Sequence, residues 1–272
     1  MINPSGEQYE IAHGDQHACA VEVGGGLRTY AVGDRQILDG YDADTMCTSG
    51  RGQVLAPWPN RIEGGKYTFD GQELQLPLTE PSAGNAIHGL VRFMSWSAVE
   101  HEPDRVLLEL LLHPQPGYPF TLRLRNEVRL GDDGLEVHTS AENVGASACP
   151  FGLGHHPYFL ARTGQVDDVE FELPGGEPQR VGDAKLDDAY GDLPRDDDGI
   201  ARVRVDDTIV WLDAAYKYVQ LFSGDLPDVG RRSLAVEPMT CPRNAFRTGE
   251  ALIRLEPGDR FEARWGVVPG RG

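Results

Sequence analysis

The chain has 272 residues, 40% of them hydrophobic, enough to build a large core in one β domain or two small ones. Its 43 acidic and 25 basic residues give a formal charge of -18, the opposite of the basic surface that nucleic acids and anionic membranes require. No run approaches the ~20 apolar residues of a membrane-spanning helix, and the polar segment from Met1 to Gly14 lacks the basic start and apolar run of a signal peptide, so a cytoplasmic location is expected.

In chain order, Gly24-Gly25-Gly26 comes first. No GK[ST] follows it, so it reads as a hairpin turn and not a phosphate loop. In Pro57-Trp58-Pro59-Asn60-Arg61-Ile62, two prolines flank a tryptophan. Such a rigid turn can fix Asn60 and Arg61, and a planar guanidinium held there suits sugar hydroxyls; a surface arginine beside a turn is the plainer alternative. In Asn85-Ala86-Ile87-His88-Gly89-Leu90-Val91-Arg92, glycine follows His88 and allows close approach. His88 is either a hydrogen-bonding group for hydroxyls or a satisfied buried histidine.

Val106–Leu112 reads as a strand with both faces covered. From Phe120 to Leu130, Leu122, Leu124, Val128 and Leu130 alternate with Arg123, Arg125, Glu127 and Arg129, the period of a half-buried strand. Gly131-Asp132-Asp133-Gly134 supplies hairpin chemistry before a second alternating run, Leu135–Val144. In Gly154-His155-His156-Pro157-Tyr158-Phe159, adjacent histidines on a regular strand point to opposite faces. One functional and one structural histidine is therefore expected, and no metal site. Arg195–Gly199, with three consecutive aspartates, reads as an exposed loop. In Leu234-Ala235-Val236-Glu237-Pro238, a lone glutamate ends an apolar run. Partial burial there would raise its proton affinity and make it a candidate acid or base; an exposed strand-end glutamate is the alternative. Pro257-Gly258-Asp259 forms a turn before a last alternating strand, Phe261–Val267.

No long segment keeps a helical period, and 33 glycines and 19 prolines are spread along the chain. The expected fold is all-β, a large sandwich forming a single domain over residues 1–272. Cys19, Cys47, Cys149 and Cys241 are far apart with no CxxC, as for reduced thiols and not a zinc or redox site.

Four of these segments, in order, resemble the aldose 1-epimerase (galactose mutarotase) family: Asn60-Arg61-Ile62 with Gly65 and Tyr67, His88-Gly89, His156-Pro157-Tyr158-Phe159, and Glu237-Pro238-Met239-Thr240. The resemblance implies an antiparallel β supersandwich with a sugar site on its concave face. It implies Glu237 as general base, His156 as general acid, and Arg61 and His88, with Asn60, as groups for the sugar hydroxyls. Leu186-Asp187-Asp188-Ala189-Tyr190 resembles a further family segment; Asp187 is favoured as the site aspartate, with Asp188 one residue away.

The reaction implied is α/β anomer interconversion of an aldose by ring opening and reclosure, which needs no cofactor. The expected partner is a small aldose sugar, with the protein a monomer or homodimer. Gly89-Leu90-Val91-Arg92 is closer to divergent bacterial branches of the family, so Arg61 and Arg92 could instead receive a hexose 6-phosphate. A non-catalytic carbohydrate-binding sandwich would not need the Glu237 and His156 pair. A glycoside hydrolase would need two facing carboxylates, such as Glu237 with Asp187.

Overall fold

The computed structural model describes residues 2–270, and every pairing between strands among them is antiparallel. Two large sheets dominate. A nine-stranded sheet contains the long meander Ser97–Glu102, Arg105–Leu112, Leu122–Gly131 and Gly134–Asn143, then Arg260–Val268, Thr208–Leu212 and Ala201–Val205. A six-stranded sheet runs Asp187–Tyr190, Tyr218–Phe222, Ser233–Met239, Gly154–His155 and Val54–Leu55, with Tyr158–Leu160 also paired to Ser233–Met239. A four-stranded sheet of the first 36 residues flanks them. Helix among the described residues is confined to single turns at Val166–Asp168 and Ala245–Thr248.

The alternation at Leu122–Gly131 is realised as expected. Leu122, Leu124, Val128 and Leu130 are fully buried, and each contributes about 1.5–3 kcal/mol through burial. The Gly131–Gly134 hairpin and the Gly24–Gly26 turn form where they were expected. Val106–Leu112 departs from expectation: Val106, Leu108 and Leu112 are buried, but Leu111 is exposed. Only one face of the meander is covered, and the other carries ion pairs such as Arg125–Glu109 and Arg105–Glu127.

One buried polar chain ties the large sheets together. Asn126, inward-facing in the meander, donates to the Gly25 carbonyl (2.8 Å) and accepts from the Thr139 hydroxyl (2.7 Å). That uses the hydroxyl's only proton, so His155 Nε2 must donate to Thr139 Oγ1 (3.1 Å). The His155 ring lies 5.4 Å from that of Trp265, and burial lowers its pKa to about 3. His155 is thus the structural member of the histidine pair.

A histidine kept neutral this way makes the fold acid-sensitive. The unfolded chain takes up a proton near pH 6.5 and the folded chain only near 3, so stability falls as pH drops through that window. At pH 5 the loss from His155 is about 2 kcal/mol. His155→Gln should shrink the difference in unfolding free energy between pH 7 and pH 5 by that amount, measured by urea denaturation; an unchanged difference would refute it.

Candidate active site

His156, next along the chain, turns the other way, onto the open face of the six-stranded sheet. Strand register places the rest of the floor. Gln220 is opposite Glu237, and Asp187 is opposite Phe222, so Asp187, Gln220, Phe222 and Glu237 share this face. Asp188 belongs to the other face, with Leu221 and Val236, and is exposed at the sheet edge. Asp187 is therefore the aspartate that reaches the site.

The walls come from the proline-rich turn, which includes a cis Ala56–Pro57 peptide. Asn60 and His88 both have left-handed backbones and brace one another. The His88 N–H donates to the Asn60 carbonyl (2.8 Å), and the Asn60 N–H donates to His88 Nδ1 (3.2 Å). His88 therefore carries its proton on Nε2 when neutral. Gly89 is required beside it: a β-carbon there would sit 2.0 Å from the Ala56 carbonyl oxygen, at φ +72.

Together these elements enclose a cavity of about 320 Å³. All seven residues singled out from the sequence line it: Asn60, Arg61, His88, Arg92, His156, Asp187 and Glu237. At its floor, His156 Nε2 lies 3.3 Å from Glu237 Oε1, and both residues are almost wholly buried. Glu237 Oε2 and His156 Nδ1 have no protein partner. Glu237 does not end its strand, as the apolar run suggested, but occupies the middle of fully buried Ser233–Met239.

Electrostatics reshape the expected charge states. Burial, with Asp187 adding to it and Arg61 opposing, pushes the Glu237 carboxyl well up. Burial, together with Arg92, Arg51 and Arg61, pulls His156 down to about 3. Both shifts favour the uncharged form of each partner, and the base and acid roles call on the tautomer in which the proton has moved from Glu237 to His156. The two tautomers hold the same single proton and differ only in which partner carries it. His88 is also held neutral, by desolvation first and then by His156, Arg92 and Arg61.

The two arginines differ. Arg61 is gripped by Glu80, with contacts of 3.0–3.3 Å from Nε and Nη2, and lies 3.5 Å from Asp187. Burial works against its charge, but Glu80 outweighs it and its pKa rises. Two carboxylates thus offset the charge of Arg61. Arg92 has no ion-pair partner among the described residues; burial lowers its pKa, and its guanidinium lies 5.2 Å from the Phe93 ring.

Gln220 and Glu80 were not picked out from the sequence. Gln220 was detectable as a lone amide in apolar Tyr218–Phe222; Glu80 lies in a loop without a signal. Gln220 donates to Asp187 Oδ1 (2.6 Å), so its own oxygen must face Asn60, whose amide nitrogen donates to it (3.2 Å). Asn60 Oδ1 is left buried and unpartnered.

His88, His156 and Glu237 offer ligand atoms within 4.8 Å of one another, a trio assembled from distant segments. A dication there would share the cavity with the Arg61 and Arg92 guanidinium groups, an unfavourable neighbourhood.

Residues 7–188 match the family model described as aldose 1-epimerase. The chain belongs to the aldose 1-epimerase family. It is 34% identical to the uncharacterized protein YihR of Escherichia coli, over 93% of this chain and 90% of that one. The aldose 1-epimerase of the same organism is 28% identical over 53% of this chain and 41% of its own length. Among solved structures, the GalM/aldose epimerase homologue of C. elegans superposes with a TM-score of 0.81 at 16% identity, covering 97% of this chain and 99% of that one. A galactose mutarotase-like protein of Clostridium acetobutylicum gives 0.79 at 16%, covering 95% and 93%. The fold is accordingly the galactose mutarotase-like antiparallel supersandwich, and membership of this epimerase family makes the chain an isomerase. No helix among the described residues is long and apolar enough to cross a membrane.

Proposed function

We propose that the protein is a mutarotase that interconverts the α and β anomers of a hexose. The observation that carries this is the 3.3 Å approach of His156 Nε2 and Glu237 Oε1 at the floor of a cavity of monosaccharide size. The anomeric oxygen and the ring oxygen are both bonded to C1, so a pair this close can address both.

In the ion-pair tautomer, Glu237 takes the proton of the C1 hydroxyl while His156 gives one to the ring oxygen. The C1–O5 bond breaks, leaving an open-chain aldehyde. Rotation about C1–C2 presents the other carbonyl face, and reversal of both transfers closes the ring. The pair ends with the proton it began with. The His88 Nε2–H and the Arg61 guanidinium are donors for sugar hydroxyls, and Asn60 Oδ1 is an acceptor. Holding the ring so that O5 meets the acid supplies the proximity part of the acceleration.

Asp187 is engaged by Gln220 and Arg61, and Glu237 faces a histidine, which favours this reading over a two-carboxylate glycosidase. The acid pair itself favours it over a purely binding sandwich.

Arg92 supports a second reading of the substrate. A desolvated guanidinium without a carboxylate partner is suited to an anionic substituent, as in a hexose 6-phosphate. Two-dimensional exchange NMR on a panel of free aldoses and hexose 6-phosphates tests both readings. Enzyme-dependent exchange cross-peaks, insensitive to chelator, are the expected result; their absence for every sugar would refute mutarotation. Arg92→Met should weaken a phosphorylated substrate selectively if the second reading holds and leave the neutral-to-phosphate preference unchanged if it does not.

A further inference from the structure

His156 rests in a cradle made by Ser49–Gly52. Ser49, Gly50 and Gly52 all have left-handed backbones (φ +55, +74 and +66), a conformation that a residue with a β-carbon, such as Ser49, adopts only when something holds it. Each member touches the histidine or its backing. A β-carbon on Gly50 would lie 2.9 Å from His156 Cδ2. The Gly52 N–H donates to the His156 carbonyl (2.9 Å). The Ser49 carbonyl accepts from the Tyr158 hydroxyl (3.1 Å), and the Tyr158 ring stacks on the imidazole at 4.8 Å and 16°. Arg51, itself buried, has its guanidinium carbon 5.7 Å from the same tyrosine ring.

No strand or helix holds this segment. Its side chains are tied chiefly to Asp228, in the loop between Tyr218–Phe222 and Ser233–Met239, and Arg51 also lies 3.7 Å from the buried Asp39 carboxylate. The Asp228 carboxylate accepts from the Ser49 hydroxyl (2.6 Å) and from Arg51 Nη1 (3.2 Å), and its carbonyl accepts from Arg51 Nη2 (2.8 Å). Thr48 Oγ1 takes a further bond from Arg51 (2.7 Å). The loop that carries Asp228 also sends Asp225 and Leu226 to the cavity wall, whereas Asp228 and Arg51 lie outside the lining.

We propose that Asp228 and Arg51 are positioning residues: by clamping Ser49–Gly52 in its left-handed turn, they fix the His156 imidazole opposite Glu237 without touching the sugar. The kinetic consequence rests on the mutarotase reading; the placement of the ring does not.

The test uses Asp228→Ala, Asp228→Asn and Arg51→Met in the full chain, with ¹⁵N-labelled histidine assigned through His156→Asn. In Asp228→Ala, kcat for anomer exchange should fall about tenfold to a hundredfold with KM within about threefold, the signature of a displaced catalytic group. The His156 ring resonances should move while those of His155 stay. Asp228→Asn keeps an acceptor for Ser49 and should fall between Asp228→Ala and the unmodified chain; Arg51→Met should resemble Asp228→Ala. Unmoved His156 resonances with unchanged kcat would overturn the proposal, as would a joint shift of His155 and His156, which marks general loosening. If the unmodified protein exchanges no sugar, the mutarotase reading fails while the imidazole resonances still decide this one.

Discussion

Replacing Glu237 with glutamine is expected to lower the anomer-exchange rate by about 100- to 10,000-fold while leaving the fold intact. The amide matches the carboxyl in shape but cannot accept the C1 hydroxyl proton. The same substitution carries a stability prediction of defined sign. Burial raises the Glu237 pKa, so above pH ~4.5 the unfolded chain ionises more readily than the folded one, and the carboxyl costs stability increasingly as pH rises. Glutamine removes that cost. Glu237→Gln should therefore match or exceed the parent in urea resistance at pH 7, with a smaller advantage at pH 4. Polarimetry on freshly dissolved sugar measures the rate. Turnover within tenfold of the parent would remove Glu237 from the chemistry, and an unfolded variant would contradict the stability argument.

His156→Asn is expected to produce a loss of similar size, again about 100- to 10,000-fold, with a small change in KM. Asparagine retains hydrogen bonding but cannot deliver a proton to the ring oxygen. Because one proton is held between His156 and Glu237, the two groups act as a unit, and removing either disables both transfers. The double variant Glu237→Gln/His156→Asn should consequently be no slower than the worse single variant, within about threefold. Multiplicative losses in that cycle would show that the groups act independently and would break the shared-proton mechanism.

The long strands could be read from the chain because they are long. Ten residues of alternation at Leu122–Gly131 and nine at Arg260–Val268 exhibit a period that two residues cannot. The strands that build the site floor include Val54–Leu55, which is too short to have a period and was not found as a strand, and Gly154–His155, which was read as strand only through its paired histidines. Glu237 shows the same limit differently. Seven consecutive buried residues look identical whether the strand stops at the glutamate or continues past it. Val106–Leu112 was expected to be covered on both faces because its leucines are nearly contiguous; the arginines that pair with its Glu109 and keep that face solvated lie on the next strand, out of reach of a local pattern.

With Asp187 and Arg92 named only through the family resemblance, the sequence by itself determined the all-β class, the hairpins, the opposition of His155 and His156, and five of the seven polar residues that line the cavity. These follow from local chemistry: side-chain alternation, turn residues, and polar groups set among apolar ones. Only the tertiary structure decided that Asp187 and not Asp188 faces the cavity, that Arg61 is flanked by carboxylates while Arg92 is not, and that Glu237 and His156 meet at 3.3 Å on a buried floor. Each depends on what lies across 19 to 126 residues of chain: a register partner, a carboxylate from a distant segment, or the exclusion of water by two packed sheets.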